Sequence, residues 1–276
     1  MCGSINIKFS QMKKLFVLIM LLSAGIMAYT QPVKAKLMPV TTNSRSALSL
    51  YSQAVKYFDD VNLNKALETF KKALDQDPDF FMVNYQLAFY SLLNQLPDDF
   101  NNYADAAINC KARLSDAEEL LKSAIVRLKQ GRTALTDVGE KLMEMYPEDP
   151  NSYNNMIYYQ SLAGDTKGTV ETIKKAISIA GNPAPFYNQL GYAYITLKMA
   201  DEAEAAFDKY IELDPENPNV YDSKGDYYMY IREYFKAYNS YMKANSLDRS
   251  FSRDKAEAAK RLYEQTEGKK MNIISI

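Results

Sequence analysis

The sequence has no histidine and no tryptophan, and only two of its 276 residues are cysteines. Histidine is the usual general base near neutral pH and the commonest metal ligand in proteins. Without it, neither a serine–histidine nor a cysteine–histidine nucleophile pair can form. The ten glycines also build no phosphate-binding loop. We therefore expect a protein that is not an enzyme, with no catalytic residue, no metal ligand and no cofactor.

The two cysteines cannot supply an internal disulfide once the N-terminal end is removed. Cys2 precedes the export segment described below, so only Cys110 remains in the exported product. A single thiol forms no bridge within the chain, and the fold must hold without one. Tyr103, Ala107 and Cys110 share one helical stripe, which favours Cys110 as a small packed apolar residue over a nucleophile.

The chain also lacks an excess of basic charge, with 33 Lys and Arg against 34 Asp and Glu. Three of the basic residues and none of the acidic ones lie within residues 1–30. A product cleaved there keeps 30 basic and 34 acidic residues, which gives a formal charge of −4. A weakly acidic protein has no long-range attraction for phosphate backbones. We expect no nucleic-acid partner.

The N-terminal end has the order of a secretory signal peptide. Lys13 and Lys14 precede an apolar run over residues 15–28, in which small residues follow the bulky ones. Its 14 residues span about 21 Å as a helix, which is short of the ~30 Å hydrocarbon core of a bilayer. We predict a signal peptide over residues 1–30, in which residues 1–11 are an upstream extension.

Two processing outcomes remain open for this segment. Cleavage after Ala28 or Thr30 releases a periplasmic or extracellular protein, and we expect no transmembrane domain in that product. An uncleaved segment would instead anchor the protein to a membrane. In both cases the folded part leaves the cytoplasm.

Beyond a linker at residues 31–46, which shows no periodicity, the chain repeats with a fixed period. Pro147, Gly181, Pro215 and Arg249 are each separated by 34 residues, whereas Pro78 and Pro147 are 69 apart. That interval is two periods plus one residue, and we expect the insertion near residues 96–99. Repeats of this length indicate a solenoid. Six units follow: 47–80, 81–115, 116–149, 150–183, 184–217 and 218–251.

Small and large residues recur at the same places of these units. The small ones at places 8 and 20 are Ala54, Gly191, Gly225, Ala66, Ala203 and Ala237. The large ones at places 11 and 24 are Tyr57, Tyr194, Tyr228, Phe70, Phe207 and Tyr241. This pattern resembles the tetratricopeptide repeat, and the resemblance covers about 205 residues, 47–251.

The resemblance implies an all-α fold, a right-handed solenoid of about six helix pairs. One pair cannot bury its apolar face, so the units must stack on one another. Residues 252–266 are predicted to form a capping helix that turns polar residues, among them Lys255, to its outer face. Residues 267–276 form a tail without a recognisable pattern. Ser115 and Glu118 have the spacing of a capping box, which predicts a helix start.

In such a solenoid the first helix of each unit lines a concave surface, with places 5 and 9 facing inward. The residues at these places, which we predict to bind a partner, are Tyr85, Phe89, Asn154, Tyr158, Asn188, Tyr192, Asp222 and Asp226. The groove is thus expected to be aromatic at its N-terminal end and lined by amides and acids toward its C-terminal end. Family members that hold acidic chaperone tails use Lys and Arg at places 2, 5 and 6. None of the corresponding residues in units 4 to 6 is basic.

Three functions of different classes follow from this pattern. The first is a non-catalytic scaffold of the cell envelope that holds a peptide or a partner domain in the groove. The second is a structural spacer that assembles through its ends or its convex face. The third is a subunit of an enzyme complex whose active site comes from a partner. The sequence favours the first, and the identity of the partner is left open.

Overall fold

The structure, a computed structural model, describes residues 36–271. The predicted signal peptide with its upstream extension lies outside the described residues, as do residues 31–35 of the linker and residues 272–276 of the tail. Within the described part, no helix is long and apolar enough to cross a membrane.

Residues 36–271 contain thirteen α-helices and no strand. The helices form six consecutive pairs and one closing helix, which confirms the predicted all-α solenoid. Their bounds are α1 Arg45–Asp59, α2 Leu63–Gln76, α3 Phe81–Leu93, α4 Pro97–Asn109, α5 Asp116–Lys129, α6 Thr136–Met145, α7 Pro150–Leu162, α8 Thr166–Ile179, α9 Ala184–Thr196, α10 Ala200–Leu213, α11 Pro218–Tyr230, α12 Tyr234–Leu247 and α13 Arg253–Glu267.

The 34-residue period has a simple origin in the helix lengths. In units 4, 5 and 6 the first helix has 13 residues and the second has 14. A turn of three residues joins them, and a loop of four separates one of these units from the next. Units 4 and 6 place their caps alike, since Asp149 and Asn217 each accept a backbone N–H two residues later and precede a proline in the first turn.

The extra residue of unit 2 is not where the sequence suggested. The turn at residues 94–96 has three residues, as in the regular units, because Pro97 begins α4 at the usual place. Instead, α4 has 13 residues and the following loop, residues 110–115, has six. The expected insertion near residues 96–99 is therefore wrong. The capping box is confirmed, since Ser115 and Glu118 exchange both of its hydrogen bonds.

The recurring small residues admit aromatic rings from the paired helix. An atom added as Cβ at Gly191 would lie 2.5 Å from the ring of Phe207, and one at Gly225 would lie 2.4 Å from the ring of Tyr241. Phe207 is completely buried. A glycine on the first helix and an aromatic residue on the second thus recur along the sequence because the two helices of one unit pack closely at that place.

Cys110 lies at the end of α4, where it is partly buried and packs against the core of the first units. Burial raises the pKa of its thiol above the ordinary value. A protonated, partly buried thiol is a weak nucleophile. The residue therefore behaves as the small packed side chain that the helical stripe predicted.

Residues 36–44 are the described part of the predicted linker that precedes α1, since α1 begins at Arg45. They are held against the solenoid by backbone and hydroxyl groups, and we name them the N-terminal strap. The backbone N–H of Met38 donates to Asp149 at 2.6 Å. Thr41 donates to both carboxylate oxygens of Glu118, from its N–H at 2.9 Å and its hydroxyl at 2.5 Å. The strap thereby runs from the end of unit 3, at Asp149, back to unit 1, where α1 begins.

The turn inside each pair contains a residue with positive φ, and in unit 1 this residue is Val61, at φ 55°. Unit 4 has Gly164 at the same place, at φ 73°. A β-branched residue is strained in this conformation, whereas glycine is not. We expect Val61→Gly to raise the free energy of unfolding by about 1 kcal/mol, even after the entropy that glycine costs. Urea denaturation measures this, and Gly164→Val should change stability in the opposite direction.

Candidate partner-binding surface

The two aromatic residues expected at the N-terminal end of the groove are part of the core. Tyr85 and Phe89 are 2% and 3% exposed. The hydroxyl of Tyr85 donates to Oδ1 of Asn155 at 2.6 Å and lies 2.9 Å from the hydroxyl of Tyr159. The first helices of units 2 and 4 therefore pack together. The expectation that Tyr85 and Phe89 line an open groove is wrong, because α7 covers them.

Tyr158, another of the predicted residues, also packs against unit 2. Tyr158 on α7 lies 6.2 Å, between ring centroids, from Phe89 and is partly buried. Burial raises the pKa of Tyr158 to about 12, and the carboxylate of Asp59, the last residue of α1, adds to the effect. Burial and the neighbouring Asp60 raise the pKa of Asp59 itself to about 6.

At the C-terminal end, the two predicted acidic residues are paired within the chain. Nζ of Lys255, on α13, lies 2.7 Å from Asp222 and 3.0 Å from Asp226. Asp226 also accepts the hydroxyls of Tyr192 at 2.8 Å and of Tyr241 at 2.7 Å. The side chain of Lys255 is 46% exposed, but its Nζ contacts both acids, which the sequence did not suggest. Its single positive charge offsets one of the two negative charges that were expected in the groove.

The remaining predicted residues lie together on the first helices of units 4 and 5. We name this the α7–α9 surface, and its residues are Asn154, Tyr158, Asn188 and Tyr192. Tyr192 is 38% exposed, while the other three are partly buried. Tyr158 and Tyr192 line one cavity between their helices. Four of the eight predicted side chains thus remain on one accessible surface.

Hydrogen bonding on this surface is incomplete within the described part of the chain. Nε2 of Gln189 donates to Oδ1 of Asn154 at 3.4 Å. Oε1 of Gln189 and Oδ1 of Asn188 are buried, and neither has a partner among residues 36–271. A buried oxygen without a donor costs about 1–3 kcal/mol. Gln189, at place 6, was not predicted as a site residue, because only places 5 and 9 were taken to face the groove.

Tyr192 connects the surface to the rest of the solenoid. Its ring meets that of Phe207 edge-on, with centroids 5.3 Å apart. Burial and the carboxylate of Asp226 raise the pKa of its hydroxyl well above the ordinary value. Tyr192 therefore stays neutral and keeps donating to Asp226 at any physiological pH. Its ring is held in position, with one edge exposed to a partner.

Comparison with known proteins supports the repeat most directly in unit 5. A family model described as tetratricopeptide repeat matches residues 184–217, which hold α9 and α10. No curated protein sequence matches the chain.

Solved structures that resemble the chain are distant in sequence. One is the crystal structure of a thermophilic TPR protein of Thermus thermophilus, at 18% identity and a TM-score of 0.48 over 77% of this chain and 98% of that one. Another is the APC/C hetero-tetramer Cut9–Hcn1, at 18% identity and a TM-score of 0.44 over 78% of this chain and 42% of that one. The resemblance drawn from the sequence is confirmed, and the chain is a helical-repeat protein with a tetratricopeptide repeat at residues 184–217.

Proposed function

We propose that the protein is a non-catalytic interaction scaffold of the cell envelope that binds a segment of a protein partner on the α7–α9 surface. Stacked helical repeats typically serve as binding surfaces, and their function depends on the residues displayed there. The observation that carries the proposal is the state of Asn188 and Gln189. Both have a buried oxygen that finds no donor among residues 36–271, on a surface that also exposes Tyr192.

The chemistry of the α7–α9 surface suits a polypeptide. Side-chain amides, such as those of Asn154 and Asn188, can both donate to and accept from a peptide backbone. Tyrosine offers rigid contact area with one polar end, and loses little conformational entropy when it is covered. The two acids that could have attracted a basic partner, Asp222 and Asp226, already pair with Lys255. The proposed partner segment is therefore recognised through hydrogen bonds and apolar contact.

The envelope location rests on the sequence alone. The basic residues Lys13 and Lys14, the apolar run over residues 15–28 and the small residues at its end support export. A partner in the periplasm or outside the cell follows from that export. Cell fractionation of the full-length protein tests this part of the proposal, and recovery in the cytoplasm would contradict it.

The binding surface is tested by affinity capture from envelope extract, with partners identified by mass spectrometry. Wild type is compared with the double variant Asn154→Ala/Asn188→Ala, which removes two amides without opening the core. We expect the variant to lose the partners that wild type retains. The matched control is Asn101→Ala/Asn102→Ala, which removes two exposed amides on α4. Capture that is equal in all three proteins would contradict binding at the α7–α9 surface.

A further inference from the structure

A cavity of about 490 Å³ opens between α7, α8 and α9, next to the α7–α9 surface. Ile157, Ile173 and Ala193 form its apolar wall, and Tyr158, Tyr192 and Gln189 border it. The other residues that line it are serine and threonine, so the cavity contains no charged side chain. Its size is in the range of sites that enclose a ligand group.

The cavity lies where unit 4 departs from the repeat pattern. Unit 5 pairs Gly191 with Phe207, and unit 6 pairs a glycine with Tyr241, so an aromatic ring fills the space inside the unit. Unit 4 has Ile157 and Ile173 at the two corresponding places. Unit 4 therefore has no glycine–aromatic pair at this place, and the cavity borders both isoleucines.

Both the polarity and the charge of the cavity restrict what can fill it. Oε1 of Gln189 is a buried acceptor, so a ligand must bring a donor to satisfy it. A charged group would lose its hydration without gaining a partner of opposite charge, which is expensive. An apolar side chain loses nothing of this kind, and burying one of the size of leucine is worth about 1.5–3 kcal/mol.

We propose that this cavity binds one uncharged apolar side chain of an extended partner segment, whose backbone N–H donates to Oε1 of Gln189. This rests on the function proposed above and specifies the partner's chemistry. The segment is uncharged around the inserted residue, because the residues that line the cavity carry no charge. Its backbone supplies the donor, since an extended chain presents an N–H next to each inserted side chain.

The experiment selects phage-displayed random peptides on the purified full chain and measures the affinity of the consensus peptide by fluorescence anisotropy. We expect a consensus with one apolar residue flanked by uncharged ones. The variant Ser161→Phe/Thr196→Phe places two rings at exposed positions that line the cavity, and it fills the space without replacing a core residue. It should bind the peptide about tenfold more weakly, as should Gln189→Leu, which removes the acceptor together with the Nε2 donor to Asn154. Replacing the apolar residue of the peptide by lysine should weaken binding similarly.

Circular dichroism and thermal unfolding establish that both variants are folded. The proposal is overturned if no peptide is enriched, if the consensus is charged, or if the folded variants bind the peptide as wild type does. It is also overturned if the cavity variant abolishes self-association, which would assign the cavity to a second copy of this chain. Loss of envelope partners by Asn154→Ala/Asn188→Ala together with unchanged binding by Ser161→Phe/Thr196→Phe would leave the proposed function standing without the cavity.

Discussion

Phe207→Ala is expected to lower the free energy of unfolding by about 3–5 kcal/mol. The ring is completely buried, it fills the space left by Gly191, and its centroid lies 5.3 Å from that of Tyr192 and 6.1 Å from that of Tyr227. Its removal leaves a void at the joint between units 5 and 6. Stability in a stacked repeat is a sum of such joints. Urea denaturation followed by circular dichroism measures the change.

The matched control is Phe235→Ala on α12, whose side chain is 44% exposed. The same chemical change at this position should cost less than about 1 kcal/mol, since no cavity forms. Because the units stack, Phe207→Ala should also weaken the adjoining α11–α13 segment, which hydrogen exchange can follow. If Phe207→Ala and Phe235→Ala lowered the free energy of unfolding equally, the packed rings would not be what holds the units together.

Glu118→Ala is expected to cost about 3 kcal/mol and to release the N-terminal strap. The carboxylate is completely buried and accepts four hydrogen bonds, two from Thr41 and two from Ser115. Its removal leaves these donors without an acceptor and ends the capping box of α5. Denaturation measures the stability, and limited trypsin digestion at Lys36 reports the release of the strap.

The control for this variant is Glu119→Ala, an exposed neighbour on the same helix turn. It changes the net charge equally and should leave both stability and digestion close to wild type. Combining Glu118→Ala with Thr41→Val separates the two roles of the carboxylate. If the strap is held through this contact, the double variant should lose about 1 kcal/mol less unfolding free energy than the sum of the two single variants. Strict additivity would show that Glu118 acts only as a helix cap.

Much of the fold could be predicted because its determinants are local. The capping box of Ser115 and Glu118 operates over three residues, and Gly191 meets Phe207 within one unit. Such features leave a repeated mark on the sequence, from which six units and a closing helix could be counted. The position of the extra residue in unit 2 was predicted wrongly, because units 2 and 3 have few of the recurring small and large residues that mark the period.

The candidate surface could be predicted only in part. Places 5 and 9 indicated Asn154, Tyr158, Asn188 and Tyr192, which lie on the first helices of units 4 and 5; that they bind a partner stays a prediction. The same rule failed for Tyr85, which bonds to Asn155 across 70 residues of sequence. It also missed the pairing of Asp226 with Lys255 across 29 residues. Such a contact leaves no periodic pattern in the sequence, because it depends on how helices of different units pack against one another.

Sequence alone decided the helical hairpin as the repeating element, the number of hairpins and the absence of a histidine-based active site. These depend on spacing, capping and composition, which act within a few residues. Tertiary structure alone decided which inward-facing side chains stay accessible, which acids are paired with a lysine and where a cavity remains. These depend on packing between distant helices, which determines whether the space between side chains is filled or left open.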